Sequence, residues 1–355
     1  MIERIKNLSL RDKVQSIQEA ALLVENNMTV GSSGFTKAGD SKAILAAVAD
    51  RAATSPLKIT LITGASLGHD TDAHLVNNKV LAKRMPFQVD PVLRKAINIG
   101  EVLFIDQHLS ETAELLQNKH LPKIDVAIIE ASSITEEGYI VPTTSVGNSN
   151  IFAQEASVII IEINMAVSEE IKGVHDIHSS HHYPYKKPFQ ITKANDRMGE
   201  SYIAINPDKI KAIVFTEIPD SPAQISEPDE NTIAISQHIL KFLENEVALG
   251  KLPNNLLPLQ AGIGKIANAV LTGFKDSSFE NLIMYSEVLQ DSTFELMDAG
   301  KLNFASASSI TVTKECYDKV FNNFGLYKDK IVLRPQNISN AILSLYKPKL
   351  LNTLS

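Results

Sequence analysis

The chain has one cysteine, Cys316, so no internal disulfide can form. That fits a reducing compartment and points to the cytoplasm. No stretch approaches the roughly 20 apolar residues that a membrane-spanning helix needs. The longest apolar runs, such as residues 156–163, have the length of a strand. The opening Met1-Ile-Glu-Arg-Ile-Lys6 lacks the apolar core of a signal peptide, so none is expected. Heptads, internal repeats and low-complexity tracts are missing too. Nor is there an excess of base: the net charge is -7, spread along the chain. A nucleic-acid binder would gather Lys and Arg on a face or stripe, so that class is set aside. What remains is an ordinary globular composition, 44% hydrophobic and 21% charged. A length of 355 residues exceeds one small core, and two α/β domains are the natural expectation.

The order of segments supports that expectation. Residues 10–25 have apolar side chains at helical spacing. Met28-Thr-Val30 is a short strand running into the small-residue loop Gly31-Ser-Ser-Gly34-Phe-Thr-Lys-Ala-Gly39. An Ala-rich helix over 41–53 and a β-branched strand over 58–63 follow. This βαβ rhythm implies a parallel sheet with crossover helices. Strands are predicted at 102–105, 126–129, 158–163 and 211–215. Ligands of such sheets bind outside the carboxyl ends of strands, which gives weight to the loops after Val30, Thr63, Ile129 and Ile163. The Pro- and acid-rich stretch 219–230 is a predicted linker. A helix over 232–249, a glycine loop, another helix and a strand over 281–287 then open a second βαβ unit.

Several motifs have more than one meaning. Gln260-Ala-Gly262-Ile-Gly264-Lys-Ile-Ala267 leads into a helix, where glycines admit close approach of a ligand to free N–H groups. A tight structural turn explains the glycines equally well. Gly262, Gly264 and Ala267 also fit the dinucleotide pattern G-x-G-x-x-A, with Glu287 where a ribose-binding acid would stand. An NAD-binding oxidoreductase is therefore the rival reading, although only 68 residues follow Glu287. Gly64-Ala-Ser66-Leu-Gly68 has the form of a nucleophile elbow, but the polar His69-Asp-Thr-Asp72 makes a poor helix start. His175, His178, His181 and His182 cluster without thiolate or carboxylate spacing that completes a zinc site. With Tyr183, Pro184, Lys186 and Lys187 they describe a solvated loop, and no metal is expected. Cys316 is read as structural.

A longer series of motifs opens with Gly31-Ser-Ser-Gly-Phe-Thr36 with Ala38-Gly39, Phe87-Gln-Val-Asp90-Pro, Leu93-Arg-Lys-Ala-Ile-Asn98 and Asp106-Gln-His-Leu-Ser110. It continues through Asp125-Val-Ala-Ile-Ile-Glu-Ala131, Ile134-Thr-Glu-Glu-Gly138 and Val141-Pro-Thr-Thr-Ser-Val-Gly-Asn148. Pro258-Leu-Gln-Ala-Gly-Ile-Gly264, Ile266-Ala-Asn-Ala-Val-Leu271, Phe279-Glu-Asn-Leu and Tyr285-Ser-Glu-Val-Leu-Gln-Asp291 complete it. In this one order over about residues 1–340, the motifs resemble the acetyl-CoA hydrolase and carboxylate CoA-transferase family, of succinyl-CoA:acetate CoA-transferase type.

The resemblance implies two tandem α/β domains of CoA-transferase type with mostly parallel sheets: residues 1–218, a linker at 219–230 and an incomplete second domain at 231–355. It implies that Glu287 is a covalent nucleophile forming a glutamyl-CoA thioester, which a carboxylate or water resolves. It implies that Ala261, Gly262, Ile263, Gly264 and Lys265 bind CoA and that Asn340 contacts it. Coenzyme A would be a substrate rather than a resident cofactor. The partners would be acyl-CoA, small carboxylates and a second copy in a homodimer. Two departures stand out. Lys265 replaces the family's usual Asn, and the tail after Asn340 matches nothing expected of the family. A shifted frame or early stop would account for that tail. A non-catalytic truncated remnant is then a further alternative, with residues 330–333 forming a strand that lacks neighbours.

Overall fold

The computed structural model describes residues 1–178, 189–223 and 229–340. The chain enters through two 3-10 turns and a short helix, α1 (Ile17–Ala21). The single helix expected over 10–25 is not formed. Ser16 and Glu19 make a capping box that starts a new helix there, and Leu8–Lys13 stays in a 3-10 turn.

Strand and helix then alternate: β1 (Thr29–Ser32), α2 (Ile44–Ala52), β2 (Ile59–Ile62), α3 (Thr71–Asn77), β3 (Leu81–Met85), α4 (Pro91–Asn98), β4 (Leu103–Phe104), α5 (Glu111–Gln117) and β5 (Val126–Ala131). A hairpin of β6 (Ser133–Ile134) and β7 (Ile140–Val141) precedes α6 (Ser149–Glu155), β8 (Val158–Asn164) and β9 (Ile210–Thr216). Local chemistry sets the helix starts. Asp90, for instance, accepts the Leu93 N–H with Pro91 in the first turn of α4. The seven-stranded sheet has the order β4-β3-β2-β1-β5-β8-β9, with every pair parallel. The chain turns back between β1 and β5, so the loops after these strands flank the switch point.

The second sheet is smaller. After α7 (Glu230–Ala248) and α8 (Lys265–Phe274) come β10 (Leu282–Tyr285), β11 (Val288–Leu289), α9 (Asp291–Asp298), β12 (Leu302–Ala307), β13 (Ser309–Ile310), α10 (Lys314–Phe321), β14 (Ile331–Leu333) and α11 (Gln336–Ser339). The order is β10-β12-β14, parallel, with β11 and β13 continuing two of its strands after a break. Both outer edges are occupied. Leu259 exchanges backbone bonds with Ile283 and Tyr285 beside β10. Beside β14, the Leu333 N–H donates to Val174 O at 2.9 Å and its carbonyl accepts from Asp176 N at 2.9 Å. The expected lack of neighbours at residues 330–333 is therefore not met, because a segment from the first half closes that edge.

One buried apolar cluster runs through both sheets, from Ile62 and Ile129 to Met284 and Leu333. The motif at 141–148 lies in the seam: Ile310 N donates to Thr144 O and Val146 N to Ser308 O. The described part of the predicted linker is also anchored. Asp220 accepts from Gly39 N and the Thr144 hydroxyl. Residues 224–228 of that stretch, and the tail 341–355, lie outside the described residues.

Candidate active site

The carboxyl ends of both sheets meet at the seam, and a cavity of about 410 Å³ opens between them. From the first half come Phe87, which follows β3, and Gln107, His108 and Leu109, which follow β4. From the second half come Gln260, Glu287, Ser339 and Asn340.

Glu287 sits at the break between β10 and β11 and is half-buried. Its carbonyl accepts the Ser308 N–H at 2.9 Å, and the preceding Ser286 N–H donates to Ser306 O at 2.8 Å. The backbone around the carboxylate is thus fixed by the neighbouring strand. The side chain is fixed as well. The Asn340 amide donates to Glu287 Oε1, and Asn340 Oδ1 accepts from Ser339 Oγ at 2.7 Å. With its oxygen so occupied, the amide turns its NH₂ toward the carboxylate. One oxygen of Glu287 is held by a donor while the residue faces a cavity, an arrangement that suits nucleophilic attack.

The glycine loop continues outward from Gln260. Ser286 Oγ donates to Ala261 O at 2.9 Å, and Gln290 Nε2 donates to Gly262 O at 3.1 Å, so residues on both sides of Glu287 hold it. Gly264 has φ +121°, a conformation that excludes most side chains. Among the described residues no side chain caps the N-terminus of α8 that follows. Gly262, Ile263, Gly264 and Lys265 are exposed, so this helix end offers free N–H groups to an anion. The structure thus brings Glu287 and Asn340 together in the cavity lining, places Ala261 beside it against Ser286, and leaves Gly262, Ile263, Gly264 and Lys265 exposed outside that lining.

The other predicted features fall elsewhere. Ser66 is buried, and its following helix starts only at Thr71, so no sharp strand-to-helix elbow presents it. His175 is fully buried rather than in a solvated loop. Its Nε2 meets Thr143 O at 2.9 Å, and burial holds its pKa down at about 4. Asp176 beside it forms a buried ion pair with Arg334 at 2.6 Å. That segment is spent on packing because it closes the second sheet. His181, His182, Tyr183, Pro184, Lys186 and Lys187 lie outside the described residues. Among the described residues no three His, Cys, Asp or Glu side chains are placed to hold a metal. Cys316 lies on α10, where burial pushes its thiol up to about 12 and makes it a poor nucleophile.

A second polar group sits at the switch point of the first sheet, and nothing in the spacing announced it. Lys42 Nζ lies 2.5 Å from Glu130 Oε2 and 2.9 Å from Asp220 Oδ1, fully buried. Glu130 pairs across the sheet with Glu162. Glu162 accepts from Ser41 Oγ and from the N–H groups of Lys42, Ala43 and Ile44, so it caps α2 from another strand. Burial raises Glu130 to about 8 against the pull of Lys42, and raises Asp40 as well. The crevice where such a sheet would take a ligand is filled by the protein's own charges.

Comparison with known proteins bears on the whole arrangement. The family model for the acetyl-CoA hydrolase/transferase N-terminal domain matches residues 4–215. A succinyl-CoA:acetate CoA-transferase of Clostridium kluyveri is 41% identical over 340 residues, covering 95% of this chain and 63% of that protein. An acetyl-CoA hydrolase of Yarrowia lipolytica is 37% identical over 352 residues, covering 95% of this chain and 67% of the other. The chain therefore spans about two thirds of the length of these relatives. The 4-hydroxybutyrate CoA-transferase of Porphyromonas gingivalis has the same fold, with a TM-score of 0.61 at 19% identity, over 93% of this chain and 69% of that one. Nothing in these likenesses supports a dinucleotide-binding domain. The chain belongs to the acetyl-CoA hydrolase/transferase family.

Proposed function

We propose that this chain transfers CoA between small carboxylates, with Glu287 as the covalent nucleophile. The observation that carries the proposal is the Glu287 carboxylate, held by Asn340 at a cavity between the two sheets, in a chain of this family. Glu287 attacks the thioester carbonyl of an acyl-CoA. The carbon–sulfur bond breaks, CoA thiolate leaves, and an acyl-glutamyl anhydride forms. The thiolate then attacks the glutamyl carbonyl and expels the free carboxylate, leaving glutamyl-CoA. An acceptor carboxylate reverses both steps. Water attacking the same thioester instead gives CoA and free Glu287, which is hydrolysis. The Asn340 N–H group already touches the glutamyl oxygen that becomes negative in the thiolate step, so it serves as an oxyanion donor. The exposed N–H groups of residues 262–265 suit the phosphates or pantetheine of CoA. The names of the relatives, a CoA-transferase and an acetyl-CoA hydrolase, support both fates of the intermediate.

Incubation with acetyl-CoA should place a CoA adduct on the peptide containing Glu287, seen by mass spectrometry or trapped by borohydride. Glu287→Ala should remove both adduct and turnover. An active Glu287→Ala variant would falsify the assignment.

A further inference from the structure

Asn340 reaches Glu287 from α11, a helix of only four residues, Gln336–Ser339. So short an element has little stability of its own, and its position must come from outside. On one side the Tyr285 hydroxyl, at the end of β10, donates to Ile338 O at 3.2 Å. On the other side the contacts converge on a single residue. Gln336 is fully buried. Its backbone N–H donates to Gly147 O at 2.9 Å. Its side-chain amide donates to Leu109 O at 2.5 Å and to Gly64 O at 3.3 Å. These carbonyls belong to three separate loops of the first sheet. Leu109 itself lines the cavity. At the other end of the turn, the Gln336 carbonyl accepts the Asn340 N–H at 2.9 Å.

We infer that Gln336 is a positioning residue: it ties the loop tips at Gly64, Leu109 and Gly147 to the turn that sets Asn340 on Glu287. A buried glutamine making these bonds gives the second sheet a fixed register against the first at the reacting carboxylate. Close packing leaves no slack there, since a Cβ added to Gly64 would lie 2.8 Å from Gln336 Oε1 and 2.4 Å from Gly34 O. Gln336 need not touch substrate; it acts through Asn340. A misplacement of even 1 Å at a reacting group is enough to cost about a hundredfold in rate.

The inference rests on the proposed role of Glu287, and a double-mutant cycle separates the two. Gln336→Met, Asn340→Ala and the double variant are compared in the full chain for kcat and KM with acetyl-CoA and a carboxylate acceptor. Circular dichroism checks that each is folded. Gln336→Met should lower kcat about 10- to 100-fold and move KM less than about threefold, the signature of lost transition-state contacts. The double variant should be no slower than Asn340→Ala alone, because the second loss is already contained in the first. Losses that multiply, or an unchanged kcat in Gln336→Met, would overturn the positioning role. If Gln336→Met does not fold, Gln336→Asn repeats the cycle, since its shorter amide cannot reach both the Leu109 and Gly64 carbonyls while the backbone bond to Gly147 is kept. Turnover surviving in Glu287→Ala would instead remove the reading beneath the inference.

Discussion

Acid should weaken this protein through one histidine. His175 is fully buried, and its ring nitrogen Nε2 meets the Thr143 carbonyl. Nδ1 is buried with no hydrogen-bond partner among the described residues. Burial lowers its pKa from 6.5 to about 4, with the nearby Arg197 acting in the same direction and the Thr143 bond against it. The unfolded chain therefore takes a proton on this ring below about pH 6.5, while the folded chain refuses it until about pH 4. Stability from the neutral ring is fully present above pH 6.5 and is lost as pH falls through 4. A separation of 2.5 between these values corresponds to about 3 kcal/mol at 1.36 kcal/mol per decade. His175→Gln keeps a donor for Thr143 and removes the titration. Urea unfolding of both proteins at pH 7, 6, 5 and 4 isolates the effect, because carboxylates elsewhere contribute equally to each and cancel in the difference. The wild-type chain should lose about 3 kcal/mol more than the variant across that range. Parallel pH profiles would show that the ring charges in place, and that its burial does not govern its protonation.

Lys42→Met should destabilise the fold by about 3–5 kcal/mol at pH 7 in urea titrations, since it leaves the Asp220 carboxylate without its cation and takes a donor from the buried Glu130. A loss below about 1 kcal/mol would mean that the cluster is neutral without it. CoA at a hundredfold excess over its Kd should stabilise the chain by about 2.7 kcal/mol in thermal scans, and NAD should not. A shift with NAD alone would restore the dinucleotide reading of the Gly262–Gly264 loop.

Most strands of the first sheet were legible because parallel strands buried on both faces read as continuous β-branched runs, as at 126–129 and 158–163. β3 was not, because Leu-Ala-Lys-Arg-Met carries two basic residues. Its Arg84 is fully buried only because Asp72 pairs with it at 2.9 Å and carbonyl groups take its other donors. β12, Leu-Asn-Phe-Ala-Ser-Ala, likewise hides in small and polar residues. Spacing singled out the Gly262–Gly264 loop and Glu287 only as a dinucleotide pattern, and the nucleophile role proposed for Glu287 came from the resemblance alone. Spacing gives no sign that Asn340 meets Glu287, 53 positions away, or that Gln336 reaches Gly64, 272 positions away. Glutamine, asparagine and lysine are by habit surface residues, so their burial is set by tertiary partners that no local pattern encodes.

The closure of β14 by residues 174–176 has a consequence for how the molecule comes apart. A fragment confined to the second half would expose the outer hydrogen-bonding groups of β14 and leave the Arg334 guanidinium without Asp176 and the Ala194 and Asp196 carbonyls. The first half alone would leave Asp176 without its Arg334 partner. Neither piece is self-sufficient, so breaking the connection should leave two fragments that fold only when mixed. In the intact chain, the loss of one sheet should carry the other with it in a single cooperative step.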